Sequence, residues 1–307
     1  MATRRAETGS DRGTARPVVK TVRGMPASDG AGVRLTRVIG SPALPDLDPF
    51  LLLDEFRSDA AADYLAGFPD HPHRGFETVT YMLDGRMQHK DSGGNTGDLG
   101  PGDVQWMTAA RGIIHSEMPQ QSEGRMRGFQ LWLNLPAKEK MKPAAYADIP
   151  AGDIPVASLP GGVRVKVIAG EDFGVRGPIQ GLTTEPLFYD LHLPAAASVE
   201  VKLPSAHNAF LYAYEGDASV GEDMKTLPNR AAGILTAGER VELVAGSSGA
   251  RVLLLAGKPI GEPVVQYGPF VMNTRQEIEQ AIQDYQTGAF AREPVKRLKE
   301  AQRASAS

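Results

Sequence analysis

Two pairs of side chains able to hold a metal, His71 and His73 in His71-Pro72-His73 and His115 and Glu117 in His115-Ser116-Glu117, bracket a stretch with four of the chain's six histidines. Residues two apart point to the same face of an extended strand, so β-structure lets each pair present two donors in one direction. The intervening sequence supplies the strands and turns. Residues 78–83 are rich in β-branched and aromatic side chains, and Asp84-Gly85 suits a two-residue hairpin loop, which predicts that residues 86–90 return as the paired strand. Residues 91–97 read as a polar, glycine-rich loop. Gly100-Pro101-Gly102-Asp103 makes another turn before a strand over 104–108, and Arg111-Gly112 turns the chain ahead of His115.

Three neutral imidazoles and one carboxylate suit a first-row divalent metal and leave coordination positions for water, substrate or oxygen. A closed zinc site would more often use cysteine, and the chain has none. A His-x-His pair alone also occurs where loop histidines bond backbone groups; the second pair, a few hairpin-sized pieces later, is what makes a metal the reading. His89 lies on the face of its strand shared with Met87 and is expected to be packed or supporting. Arg74 and Glu77 either orient ligands or form an ion pair at the rim.

The runs Asp48-Pro49-Phe50-Leu51-Leu52-Leu53-Asp54-Glu55-Phe56, Phe68-Pro69-Asp70-His71-Pro72-His73-Arg74-Gly75-Phe76-Glu77-Thr78, Pro101-Gly102-Asp103-Val104-Gln105-Trp106-Met107-Thr108-Ala109, Gly112-Ile113-Ile114-His115-Ser116-Glu117-Met118-Pro119 and Gly268-Pro269-Phe270-Val271-Met272-Asn273-Thr274 resemble the pirin family of the cupin superfamily. The resemblance implies an all-β chain of two cupin barrels, with one metal, usually iron, in the first. It carries the family's ligand roles to His71, His73, His115 and Glu117. Many other cupins use the glutamate that follows His-x-His, here Glu77, which is the reserve. Ligand chemistry alone also admits nickel, manganese, copper, cobalt or zinc.

The 307 residues suffice for two domains that each bury a core. The expected division is a disordered tail over 1–20, a metal-binding barrel over 21–136, a linker over 137–162 containing four prolines, a second barrel without metal ligands over 163–272, and a C-terminal helix with a basic tail over 273–307. Thr274 and Glu277 have capping-box spacing, Ile278, Ile282 and Tyr285 form a narrow apolar stripe, and Gly288 suits the helix end. The tail carrying Arg292, Lys296, Arg297, Lys299 and Arg303 reads as solvated. In residues 129–135, Leu131, Leu133 and Leu135 face a core, while Gln130, Trp132 and Asn134 line a cavity or meet a neighbour. Core packing is the first reading for Trp106 and Trp132, a ring beside the metal cavity the second. His192 and His207 have no partner at strand spacing and are expected to be structural.

Thirty-three basic against 37 acidic residues give a net charge of −4, which provides no global drive toward nucleic acid or anionic membrane. No apolar run follows the amino-terminal arginines and none is long enough to span a bilayer, so a cytoplasmic protein is expected. Resemblance to pirins implies a metal-dependent dioxygenase that takes a small aromatic, flavonol-like substrate such as quercetin together with O₂, with Glu117 as general base toward the flavonol 3-hydroxyl. The alternative it also implies is a non-enzymatic, iron-containing, redox-responsive regulator that binds a protein partner such as a transcription factor or metabolic enzyme.

Overall fold

Short alternating segments between glycine- and proline-bearing turns fold into three large, mainly antiparallel sheets, in a computed structural model that describes residues 13–291 and 295–298. The first barrel sandwiches an eight-stranded sheet, centred on the strands Phe50–Ser58, Met126–Asn134, Phe76–Asp84 and Val104–Thr108, against a four-stranded sheet. The smaller sheet runs in the order Phe68–His73, Ile113–Pro119, Met87–Asp91, Thr96–Leu99. The second barrel is a nine-stranded sheet. Its longest strands, Asn208–Val220 and Arg240–Gly257, pair with different neighbours along their two halves, which rolls the sheet around Val165, Leu191, Leu211, Val241 and Leu254.

Alternation decides how the barrels meet. One face of the eight-stranded sheet presents Val79, Tyr81, Trp106, Phe129 and Leu131 to Phe188, Phe210, Tyr212, Leu253 and Leu255 of the nine-stranded sheet, and these side chains form one apolar cluster. Full burial of such a side chain contributes roughly 1.5–3 kcal/mol, so the shared core is too large for two independently moving domains. Arg127, buried in this layer, bonds Glu55 at 3.0 Å and also reaches Glu215 of the second barrel. The opposite face of the eight-stranded sheet looks into the first barrel. There the apolar packing splits into one lobe around Phe56, Met82 and Met126 and another around Met107, Ile113 and Tyr146.

The structure corrects several local expectations. Asp84-Gly85 does turn the chain, with Gly85 at a φ of 87°. The segment beyond it does not pair with Phe76–Asp84, however; it crosses to the facing sheet and pairs with Ile113–Pro119 and Thr96–Leu99. The hairpin lies one turn later, between Met87–Asp91 and Thr96–Leu99, so the polar loop expected over 91–97 shrinks. The linker expected over 137–162 contains Ala145–Ile149, a strand of the first barrel paired with Val104–Thr108, and Val156–Ser158, an edge strand of the second. The prolines at 143, 150 and 155 flank these strands instead of interrupting them.

Both ends of the described chain also differ from solvated tails. Arg16 is buried, donating to the carbonyls of Gly238 at 2.8 Å, His207 at 2.8 Å and Pro204 at 2.5 Å, and Val18–Arg23 pairs with Ala231–Leu235. The chain therefore starts its first strand in the second barrel before crossing to the first. Residues 1–12 of the expected tail lie outside the described residues. Lys296–Arg297 pairs with the Ala145–Ile149 strand and Leu298 is buried; Arg292, Lys299 and Arg303 lie outside the described residues. The helix Arg275–Gln286 has the capping box, with the Thr274 hydroxyl accepting from the Glu277 N–H. It packs through Ile278 and Ala281, with Ile282 against the same cluster and Tyr285, although 41% exposed, 5.7 Å from the Phe290 ring, so the expected stripe faces the core and is widened by Ala281. Among the described residues no helix is long and apolar enough to cross a membrane.

Candidate metal centre

The Phe68–His73 and Ile113–Pro119 strands lie side by side with His115 directly opposite His71. Cross-strand neighbours share a face, and His73 shares it with His71 by the two-residue period, so three imidazoles converge inside the first barrel. Among the described residues they form the one group of three or more histidine, aspartate or glutamate side chains whose donor atoms all lie within 4.8 Å of one another. The Nε2 atoms of His71 and His73 are 3.0 Å apart. Two nitrogens about 2.1 Å from a common ion and at right angles around it would be separated by about 3.0 Å.

Neighbouring groups set which nitrogen is free. His71 Nδ1 lies 2.8 Å from the Pro69 carbonyl, which can only accept, so Nδ1 carries the proton and Nε2 the lone pair. His115 Nδ1 lies 3.2 Å from His89 Nδ1, and the other nitrogen of His115, Nε2, is buried with no hydrogen-bond partner. Burial holds the pKa of both His73 and His115 well below the ordinary histidine value, which keeps them neutral. A buried, unpaired imidazole lone pair beside two others is the arrangement that a metal ion satisfies. The supporting position expected for His89 is the one it occupies.

Glu117 lies beyond this trio in the same barrel. The Thr80 hydroxyl donates to its Oε1 at 2.7 Å, and Gln130 Nε2 lies 3.1 Å from its Oε2. The donor atoms grouped within 4.8 Å comprise the three histidines and not Glu117. Glu77, the reserve carboxylate, points the other way: it shares its strand face with Val79 and Tyr81, accepts from the Thr108 hydroxyl at 2.6 Å and from Trp106 Nε1 at 3.3 Å, and burial raises its pKa.

A cavity of about 540 Å³ opens from the imidazoles. Leu52, Phe56, Phe68 and Trp132 give it flat apolar walls, Gln130 and Glu117 a polar floor, and Arg37, bridging Asp29 and Asp54, a charged mouth. Trp132 packs against Phe76 and His73, with ring centroids 4.4 and 5.2 Å away, so it takes the cavity reading, whereas Trp106 is core. Asn134 leaves the cavity face and accepts from buried Lys140 at 2.6 Å.

The family described as Pirin matches residues 32–133, and the Pirin C-terminal cupin domain matches residues 188–291. A Pseudomonas aeruginosa protein named "putative quercetin 2,3-dioxygenase" is 57% identical over 282 residues, covering 90% of this chain and 98% of its own. A pirin-like protein of Caulobacter vibrioides is 54% identical over 276 residues, covering 90% and 99%. The chain belongs to the pirin family. Its fold matches the crystal structure of a quercetin 2,3-dioxygenase from Acinetobacter baumannii with a TM-score of 0.82 at 34% identity, over 90% of this chain and 98% of that one.

The two barrels of this pirin are thus cupin domains, and the second contributes directly to the site in the first. Gln266, Gly268 and Pro269 line the cavity, and Phe270–Met272 runs beside Arg74, whose N–H donates to Pro269 O at 3.2 Å. Arg74, between the first barrel's histidine pair and Gly75, bonds Asp284 of the C-terminal helix at 2.7 Å and stacks over Phe290 at 4.5 Å. Lys140 ties the same junction together by donating to Gly75 O at 2.7 Å and Val271 O at 3.0 Å. Sequence reasoning left Thr80, Lys140 and Pro269 out of the site. The period-two face of residues 78–82 is a signal for Thr80, but nothing local points to the other two.

Proposed function

We propose that this pirin is a metal-dependent dioxygenase that opens a flavonol-like aromatic substrate, such as quercetin, with O₂. The observation that carries the reading is the convergence of three imidazoles, His71 and His73 lining a cavity with apolar walls and His115 packed behind them, beside an anchored carboxylate. His71, His73 and His115 would hold the ion, with Glu117 as the carboxylate of the set; iron is the family's usual metal. Such an ion supplies Lewis acidity toward a phenolic oxygen and one-electron exchange with O₂.

The chain's own residues handle the substrate and its proton. Trp132, Phe56 and Phe68 stack against or border a planar polycyclic molecule and exclude water from it. Glu117 takes the 3-hydroxyl proton on a carboxylate oxygen, while Thr80 and Gln130 hold that carboxylate in one orientation. Likeness to a structure titled quercetin 2,3-dioxygenase supports the substrate class. The test is oxygen uptake and flavonol bleaching by metal-loaded protein. Bleaching should require O₂, and Glu117→Gln should lower turnover by about 100-fold or more. Metal-loaded protein that consumes no O₂ with quercetin, or a Glu117→Gln variant that matches wild type, would overturn the proposal.

A further inference from the structure

A second cavity, of about 480 Å³, is lined by residues of the second barrel. Its floor is a row of side chains across four neighbouring strands: Arg164 is opposite His192, His192 opposite Arg251, and Arg251 opposite Glu215. Cross-strand neighbours share a face, so two guanidinium groups flank one imidazole. His192 is fixed from behind, with Nε2 2.8 Å from Asp190 Oδ2 and 3.3 Å from the Tyr214 hydroxyl. Asp190 in turn accepts from Tyr214 at 2.6 Å and from Tyr81 of the first barrel at 2.7 Å. That leaves His192 Nδ1 without a partner among the described residues, on a side chain that is 25% exposed.

Charge in the cavity is unbalanced. Glu215 is shared between Arg251, at 3.3 Å, and Arg127, whereas Arg164 has no ion-pair partner among the described residues. The facing rim consists of Gly216, Ser248 and Gly249, with Gly216 and Gly249 at φ values of 65° and 79°. A Cβ on Gly216 would meet Gly249 O at 2.1 Å and one on Gly249 would meet Leu193 O at 2.8 Å, so the two glycines let main chain pack against main chain to close this rim, and Ser248 adds a hydroxyl. Arginine forks offer paired N–H donors that match a tetrahedral oxyanion, and the volume accommodates a small molecule attached to it.

We propose that this cavity binds the phosphate group of a small phosphorylated metabolite, through donation from Arg164 and Arg251, with a protonated phosphate oxygen donating to His192 Nδ1, since His192 Nε2 carries the proton held by Asp190. The site is independent of the metal centre and of the dioxygenase reading. The test titrates inorganic phosphate, glycerol phosphate and acetate into the metal-loaded full chain, by calorimetry and by the imidazole NMR signals of His192. Phosphate and glycerol phosphate should saturate one site below about 10 mM and shift the His192 signals. Arg164→Gln and Arg251→Gln should each weaken binding by at least about tenfold without changing metal content. Arg164→Gln removes no ion pair, so its result stands even if Arg251→Gln disturbs the fold. No saturation in wild type, equal binding by the Arg164→Gln variant, or acetate binding as tightly as phosphate would each overturn the assignment.

Discussion

His115 reaches the metal centre with its orientation set by His89, and His89→Phe isolates that support. Phenylalanine keeps a ring in a position that is 1% exposed but removes the Nδ1 that lies 3.2 Å from His115 Nδ1. With Nε2 of His115 facing its fellow imidazoles, Nδ1 carries the proton, and in the variant that buried N–H has nothing to donate to. An unsatisfied buried donor costs about 1–3 kcal/mol. At about 1.4 kcal/mol per tenfold, that weakens metal binding roughly 5- to 150-fold, in line with the 10- to 100-fold typical for groups that support ligating histidines. The assay is competition between the protein and a chromophoric chelator at pH 7.5, for wild type, His89→Phe and His89→Gln. The glutamine side-chain oxygen can accept from His115 Nδ1, so His89→Gln should recover part of the loss. Metal affinity of His89→Phe within twofold of wild type, in a variant of unchanged thermal midpoint, would refute the argument.

Lys140 provides the pH test: burial lowers its pKa from 10.5 to about 8, so between about 8 and 10.5 the unfolded chain binds the extra proton and stability should rise with pH. Lys140→Met should remove that rise from a series of thermal midpoints, and should cost about 1–3 kcal/mol at pH 7 by removing the ammonium donor to Gly75 O and Val271 O, while Asn134 Oδ1 keeps the Leu135 N–H. In Gly75→Ala, the added Cβ would meet Val271 O at 1.8 Å in a backbone held at a φ of 93°, so the C-terminal segment should be displaced and proteolysis near residues 265–272 accelerated. Trp132→Phe shortens a cavity wall while keeping an aromatic ring against His73; KM for quercetin should rise about tenfold while metal content stays at the wild-type level, and an unchanged KM would contradict the placement of Trp132 as a wall.

The histidine cluster was legible because its signal is local and periodic: the two-residue spacing in His71-Pro72-His73 states which side chains share a face and cross-strand pairing adds His115, whereas Glu117 lies outside the grouped donors. Gln130 and Trp132 were visible as a cavity face for the same reason. Pairing was harder, because Asp84-Gly85 specifies a turn but not the sheet that receives the chain after it. Crossing to the facing sheet puts His89 behind His115, which a simple hairpin would not do. Arg16 looked like part of a polar tail since its three carbonyl partners lie beyond residue 200. The short strands at 145–149 and 156–158 are too brief to show periodicity between prolines. Lys140 reaches the junction by folding back onto Gly75 and Asn134 of its own barrel as well as Val271, and Pro269 reaches the site only when the two barrels meet.

The account depends on His71, His73 and His115 sharing one ion, and metal analysis of chain purified without chelator or histidine tag tests it most directly. Wild type and His192→Ala should carry close to one first-row divalent ion per chain, and His71→Ala, His73→Ala and His115→Ala should each carry far less. Wild-type chain free of stoichiometric metal, or histidine variants that retain the wild-type content, would contradict it.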